Sequence, residues 1–108
     1  MKWYPELYVG AHAKKKQKKI IRKLKTNAGM LDVYLVTLAA NGEDIFDIIS
    51  SAWLQQKAVR RNLPMIVGIA CGYEEAVELA VGIVEEVYRE TGDVRVQSYL
   101  IEKVKERL

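Results

Sequence analysis

The sequence predicts an α/β domain: a three-layer α/β/α arrangement around a four-stranded, mainly parallel sheet, with its elements in the order β-α-β-α-β-α-β. Short apolar, β-branched runs alternate along the chain with longer segments of helical periodicity, the pattern of strands joined by crossover helices. Two of those runs, LDVYLVTLA at 31–39 and MIVGIA at 65–70, are apolar almost throughout, as strands covered on both faces must be. Such alternation implies parallel pairing through right-handed connections.

The first strand is expected at 7–9, closed by Gly10. A helix follows over 13–27, where Ala13, Ile20, Ile21 and Leu24 form one apolar stripe and Asn27 to Gly29 end it. After the strand at 31–39, Asn41 reads as an N-cap for a second helix over 43–61, with Glu43, Asp44 and Asp47 in its opening turns. Ile45, Ile48, Ile49, Ala52 and Val59 give that segment an apolar face, and Phe46 and Trp53 add a stripe on its flank. Asn62 and Pro64 end it before the strand at 65–70. The third helix, 73–90, places Ala76, Val77, Ala80, Ile83, Val84 and Val87 on one side and stops at Gly92. The last strand is read at 94–100, where Val94, Val96, Ser98 and Leu100 alternate with Arg95, Gln97 and Tyr99; residues 101–108 read as a short helix or tail. One domain of 108 residues accounts for all of this and is long enough to bury a core without disulfide or metal staples.

Composition bounds the setting. Half the residues are apolar and 29% are charged, which excludes a disordered chain. Cys71 is the single cysteine and has no internal disulfide partner, so a reducing cytoplasm is the expected compartment. The opening MKWYPELYVG lacks a signal peptide's apolar run, and no segment is long and apolar enough for a membrane span.

The net charge of +3 conceals an asymmetry. Residues 1–28 hold nine Lys or Arg against Glu6 alone, while the rest hold eight basic and thirteen acidic residues. Such a split fits nucleic acid or another acidic partner. It equally fits a homo-oligomer in which the basic first helix docks on the acidic third helix of a neighbour. The third helix adds Leu79, Val81 and Tyr88 to its apolar arc, more than one sheet contact needs, which also points to an oligomer.

Three loops are expected at the carboxyl edge of the sheet, where open α/β sheets bind ligands. In the first, His12, Lys14, Lys15 and Lys16 surround a helix start whose N–H groups already carry positive potential. A bound anion would reverse that repulsion, although flexible lysines can also swing into water. Lys18, Lys19 and Arg22 continue the cluster, and eight of the twelve residues at 14–25 are basic. This surface suits a nucleic-acid backbone. The second loop, with Asn41 and Gly42, and the third, with Cys71, Gly72 and Tyr73, are candidates for a small-ligand edge.

Chemistry is less well supported. A thiol ending a strand beside a helix start is a conceivable nucleophile, but Glu74 and Glu75 oppose the thiolate, and no second cysteine or phosphatase-type arginine follows. The acidic first turns are explained by helix dipoles without a metal. GxxxxGK[ST] and GxGxxG are absent, so no nucleotide cofactor is called for, and His12 has no placeable triad partner. The sequence reading is therefore a non-enzymatic binding domain acting through its basic first helix. A ligand or catalytic site at the loops of His12, Asn41 and Cys71, or a structural homo-oligomer, stand as alternatives.

Overall fold

A computed structural model describes residues 1–30, 32–39 and 45–105 of the chain. The α/β class holds: β1 (Trp3–Val9), β2 (Val33–Leu38), β3 (Phe46–Ser50) and β4 (Ile66–Cys71) form one sheet in the order β1-β4-β2-β3. It is mixed rather than mainly parallel. β1 and β4 run parallel, while β2 is antiparallel to both β4 and β3. The helices are α1 (Gln17–Lys25), preceded by a 3-10 turn Ala13–Lys16; α2 (Lys57–Asn62), preceded by a 3-10 turn Ser51–Gln55; α3 (Tyr73–Thr91); and α4 (Val96–Lys103). The order is β-α-β-β-α-β-α-α, and two segments account for the departure from the expected alternation.

The first is the helix expected over 43–61. Residues 46–50 instead pair with β2 in unbroken antiparallel register, from Tyr34 opposite Ser50 to Leu38 opposite Phe46. The isoleucines satisfy both periods at once: 45, 48, 49 mimics a helical face, while Phe46 and Ile48 pack on one side of the sheet and Ile49 on the other. β-branched and aromatic residues then favour the strand. Ser50 accepts a hydrogen bond from the Ala52 N–H at 3.3 Å to start the 3-10 turn, and Gln56, in extended backbone, separates that turn from α2.

The second is the strand expected at 94–100, which is α4. Its buried side chains are Val96 and Leu100, with Val104 just beyond, at a spacing of four, whereas Val94 is 52% exposed. Reading the alternation only as far as Leu100 hid a helical period that Val104 completes.

Two hydrophobic clusters divide the strand residues between them. Tyr4, Val36, Val67 and Ala70 join Ala76, Ile83 and Val87 of α3, Val96 and Leu100 of α4, and Val104. Val33, Leu35, Ile66 and Ile69 join Ala13, Ile20 and Leu24 of the first helical segment and Leu54 of the second 3-10 turn. β2 and β4, buried almost throughout, lie at the centre of the sheet, in keeping with their apolar sequences.

β4 carries one irregularity. Val36 pairs with Gly68 but Thr37 pairs with Ile66, so Val67 is the extra residue of a β-bulge. The bulge turns Val67 and Gly68 toward the same side, where a Cβ on Gly68 would meet Leu79 Cδ2 at 2.7 Å. β1 starts at Trp3, earlier than expected, and accommodates Pro5 because it is an edge strand, where a missing N–H costs no ladder bond.

α1 ends as Asn27 predicts. Asn27 takes the left-handed conformation (φ 60°), its N–H donates to Leu24 O at 3.3 Å, and the Ala28 N–H donates to Lys23 O at 2.9 Å, which together make a Schellman closure. Arg60 of α2 reaches across to donate to the Leu24 and Lys25 carbonyls, tying α2 to the end of α1. Gly92, also left-handed, terminates α3.

Candidate functional site

The basic segment begins as the 3-10 turn Ala13–Lys16 and becomes α-helical at Gln17. Ala13, Ile20 and Leu24 anchor it to the core. At about 100° per residue, Lys18, Arg22 and Lys25 fall within about 60° of one another, opposite Ile20 and Leu24. All three are exposed, as are Lys14, Lys15 and Lys16 on the preceding turn. Lys19 and Lys23 lie on the flank between this outward arc and the core, Lys19 exposed and Lys23 half-buried. Among the described residues, the ion pairs are His12–Glu75, Arg95–Asp93, Lys103 with Glu6 and Glu86, and Lys105–Glu102; none involves a cation of this segment.

The start of the segment is held differently from the sequence expectation. Glu75, in the first turn of α3, places its carboxylate between the first and third loops. Oε1 accepts the His12 backbone N–H at 2.8 Å and lies 2.7 Å from His12 Nδ1, while Oε2 accepts the Cys71 N–H at 2.6 Å. Gly10 makes room for it: a Cβ there would stand 2.4 Å from Oε2. Burial alone would raise the Glu75 pKa, but the hydrogen bonds from Cys71 and His12 outweigh it and hold the carboxyl below its ordinary value. An internal carboxylate thus takes the His12 N–H, one of the groups that the sequence reading offered to an external anion. The His12 N–H is thus satisfied by a residue sixty-three positions away, while the lysines that follow it gain no carboxylate partner among the described residues.

His12, Cys71, Gly72 and Tyr73 are accordingly brought together, lining a cleft of about 630 Å³ with Glu74, Glu75 and Glu78. Its carboxylates make it a poor seat for an anion. Burial first, and Glu75 second, push the Cys71 thiol up, which favours the protonated form at neutral pH. Asn41 and Gly42 lie outside the described residues. β2 reaches its carboxyl end beside Ile66, whereas its amino end, Val33, pairs with Cys71. The loops after β1 and β4 share one edge of the sheet, and β2 ends at the other; because β2 runs antiparallel, the three strands do not end at a common edge.

A second cleft, of about 400 Å³, lies on the flank of α1 and is lined by Lys16, Lys19, Ile20, Lys23, Gly29, Met30, Asp32, Val33 and Cys71. Lys23 was missed by the sequence reading, yet its helical spacing from Lys16 and Lys19 was a usable signal.

A polar cluster unanticipated from sequence joins β1, α3 and α4. Glu86 Oε2 accepts from Tyr8 Oη at 2.8 Å, Tyr99 Oη at 2.9 Å and Lys103 Nζ at 3.1 Å. Lys103 also sits 5.6 Å from the Tyr8 ring centroid and 5.8 Å from that of Tyr99. Burial and hydrogen bonding to Glu86 push the Tyr8 hydroxyl well above the ordinary tyrosine range. This is the opposite of what a tyrosine acting as a base requires, and the cluster reads as a clasp on α4. Among the described residues no group of His, Cys, Asp and Glu is placed to hold a metal ion, and no helix is long and apolar enough to cross a membrane.

No family model, no curated protein and no solved structure matches this chain.

Proposed function

We propose that this domain binds nucleic acid, with the outward arc of the first helical segment (Lys14, Lys15, Lys18, Arg22 and Lys25) meeting the phosphate backbone. One observation carries the reading: these five side chains are exposed, lie on one continuous segment in which Lys18, Arg22 and Lys25 share a face, and have no carboxylate partner among the described residues. Clustered unpaired cations repel one another, and a polyanion relieves that repulsion while its own condensed counterions are released. The side chains carry this contact rather than the helix-start amides, since Glu75 takes the His12 N–H. The expected test result is that a labelled single-stranded RNA or duplex DNA binds with strong salt dependence and that Lys15→Glu with Lys18→Glu abolishes binding while circular dichroism is unchanged. Binding that survives the double substitution refutes the reading.

The assembly reading is favoured by a different observation. β3 is an edge strand in regular register, bearing one charge, Asp47, and it flanks a largely apolar groove of about 540 Å³ lined by Ile45, Phe46, Ile48, Ala80, Val81 and Val84, with Glu85 as its one charged member. The other edge, β1, is blunted by Pro5 and an irregular register. A second copy pairing β3 with β3 antiparallel would continue the sheet and cover Val81, which is 50% exposed. Sedimentation decides it: the dimer persists in high salt and Val81→Lys disrupts it, whereas a chain that is monomeric at every concentration refutes it.

A further inference from the structure

We propose that the cleft between α1 and the residues Gly29, Met30, Asp32 and Val33 is a seat for a phosphomonoester dianion, either the terminal phosphate of a nucleic-acid strand or the phosphate of a free mononucleotide. The strand-end form rests on the nucleic-acid reading of α1; the free-nucleotide form does not.

The cations of α1 and the turn before it are divided between two surfaces. Lys18, Arg22 and Lys25 face outward, while Lys16, Lys19 and Lys23 line the cleft from successive turns of one flank. Among the described residues the cleft is lined by three lysines and one carboxylate, that of Asp32, so positive charge is in excess by two. Lys23 is half-buried, and Lys16 and Lys19 beside it are exposed. Such an arrangement is self-repelling when empty and is relieved by a multivalent anion. A phosphomonoester carries close to two negative charges at neutral pH and matches the excess, whereas an internal phosphodiester carries one.

The remaining wall suits the rest of a nucleotide. Met30 offers apolar surface to a sugar or base edge, and the Asp32 carboxylate is an acceptor for a sugar hydroxyl or base amine. Asp32 is presented there by a backbone in the left-handed region (φ 60°), and Asn27 adopts the same conformation at the other end of the connection. The volume, about 400 Å³, falls within the range of small-ligand pockets. The neighbouring cleft at His12 is comparably large but lined by three glutamates, so an anion distinguishes the two sites.

The test compares four probes by calorimetry and fluorescence anisotropy: AMP, adenosine, and one short single-stranded RNA bearing either a 5′-phosphate or a 5′-hydroxyl. The expected result is that AMP binds, adenosine does not, and the 5′-phosphate strengthens strand binding by about tenfold or more. Lys23→Gln should weaken AMP by at least about tenfold, and the exposed Lys16→Gln, which leaves the core untouched, should weaken it in the same direction. AMP binding with no gain from the strand's 5′-phosphate assigns the seat to a free nucleotide. AMP binding with no strand binding at all upholds the seat and overturns the nucleic-acid reading. Equal binding of the two strands together with silence from AMP overturns the seat and leaves the nucleic-acid reading standing. AMP binding undiminished in both lysine variants overturns the seat as well.

Discussion

Glu75 shows how one residue changes the meaning of a whole stretch. Its carboxylate joins the loop before α1 to the loop before α3 through the N–H groups of His12 and Cys71. Because its pKa is lowered on folding, its contribution to stability is present above the unfolded carboxyl value and is lost as pH falls through the folded one. Glu75→Gln should therefore destabilise the chain by about 1–3 kcal/mol near neutrality and by progressively less as pH falls below the ordinary carboxyl range, when urea midpoints are compared across pH. An equal loss across that range would show that the side chain acts by packing alone. Cys71 gives a second expectation at this scale. With its thiol pushed up, iodoacetamide should alkylate it no faster than a free cysteine at neutral pH, the rate rising only above the usual cysteine range. A rate above that of free cysteine would restore the nucleophile reading.

At the scale of elements, α4 depends on partners distant in sequence. It buries Val96 and Leu100, receives the Tyr4 hydroxyl on the Leu100 carbonyl at 2.8 Å, and presents Tyr99 and Lys103 to Glu86. Leu100→Ala should cost about 2–5 kcal/mol, as large-to-small changes in a packed core do. Lys103→Met keeps much of the side-chain volume but removes the charge. It should leave global stability within about 1–2 kcal/mol while speeding amide exchange over 96–103 relative to α3. Unchanged exchange in that segment would mean that apolar contacts alone hold the helix. The two misread segments share a cause. Residues 46–50 and 94–100 are short enough for periods of 2 and 3.6 to fit the same apolar positions, and the choice falls to whichever neighbour is available. For 46–50 there was a usable signal, since Asn41-Gly42 between two β-branched runs is a hairpin signature as well as a capping one.

At the scale of the whole molecule, charge is segregated: cations along α1 and its preceding turn, carboxylates on α3. If the outward arc of α1 meets about four phosphates of a single strand, the logarithm of affinity should fall with that of salt with a slope of roughly −3. Lys15→Glu with Lys18→Glu should flatten the slope as well as weaken binding. A slope near zero would place the contact elsewhere, even if binding were tight. The apolar groove beside β3 gives assembly the opposite dependence, because burial of Val81 and Phe46 does not weaken in salt. The two surfaces can therefore be separated by one variable.

Sequence by itself determined the α/β class, the burial of β2 and β4, and the extent of α3 and its stop at Gly92. It also determined the basic character of the first helical segment. These follow from local composition and period, which the chain carries wherever it folds. Only the tertiary structure decided that β2 runs antiparallel to β4, that residues 46–50 join the sheet, and that Glu75 takes the His12 N–H. It also decided that α1's lysines divide between an open arc and a cleft. Each of these depends on pairings between residues far apart in the chain. Such pairings are set by which apolar faces and hydrogen-bond partners remain available once the strands have packed.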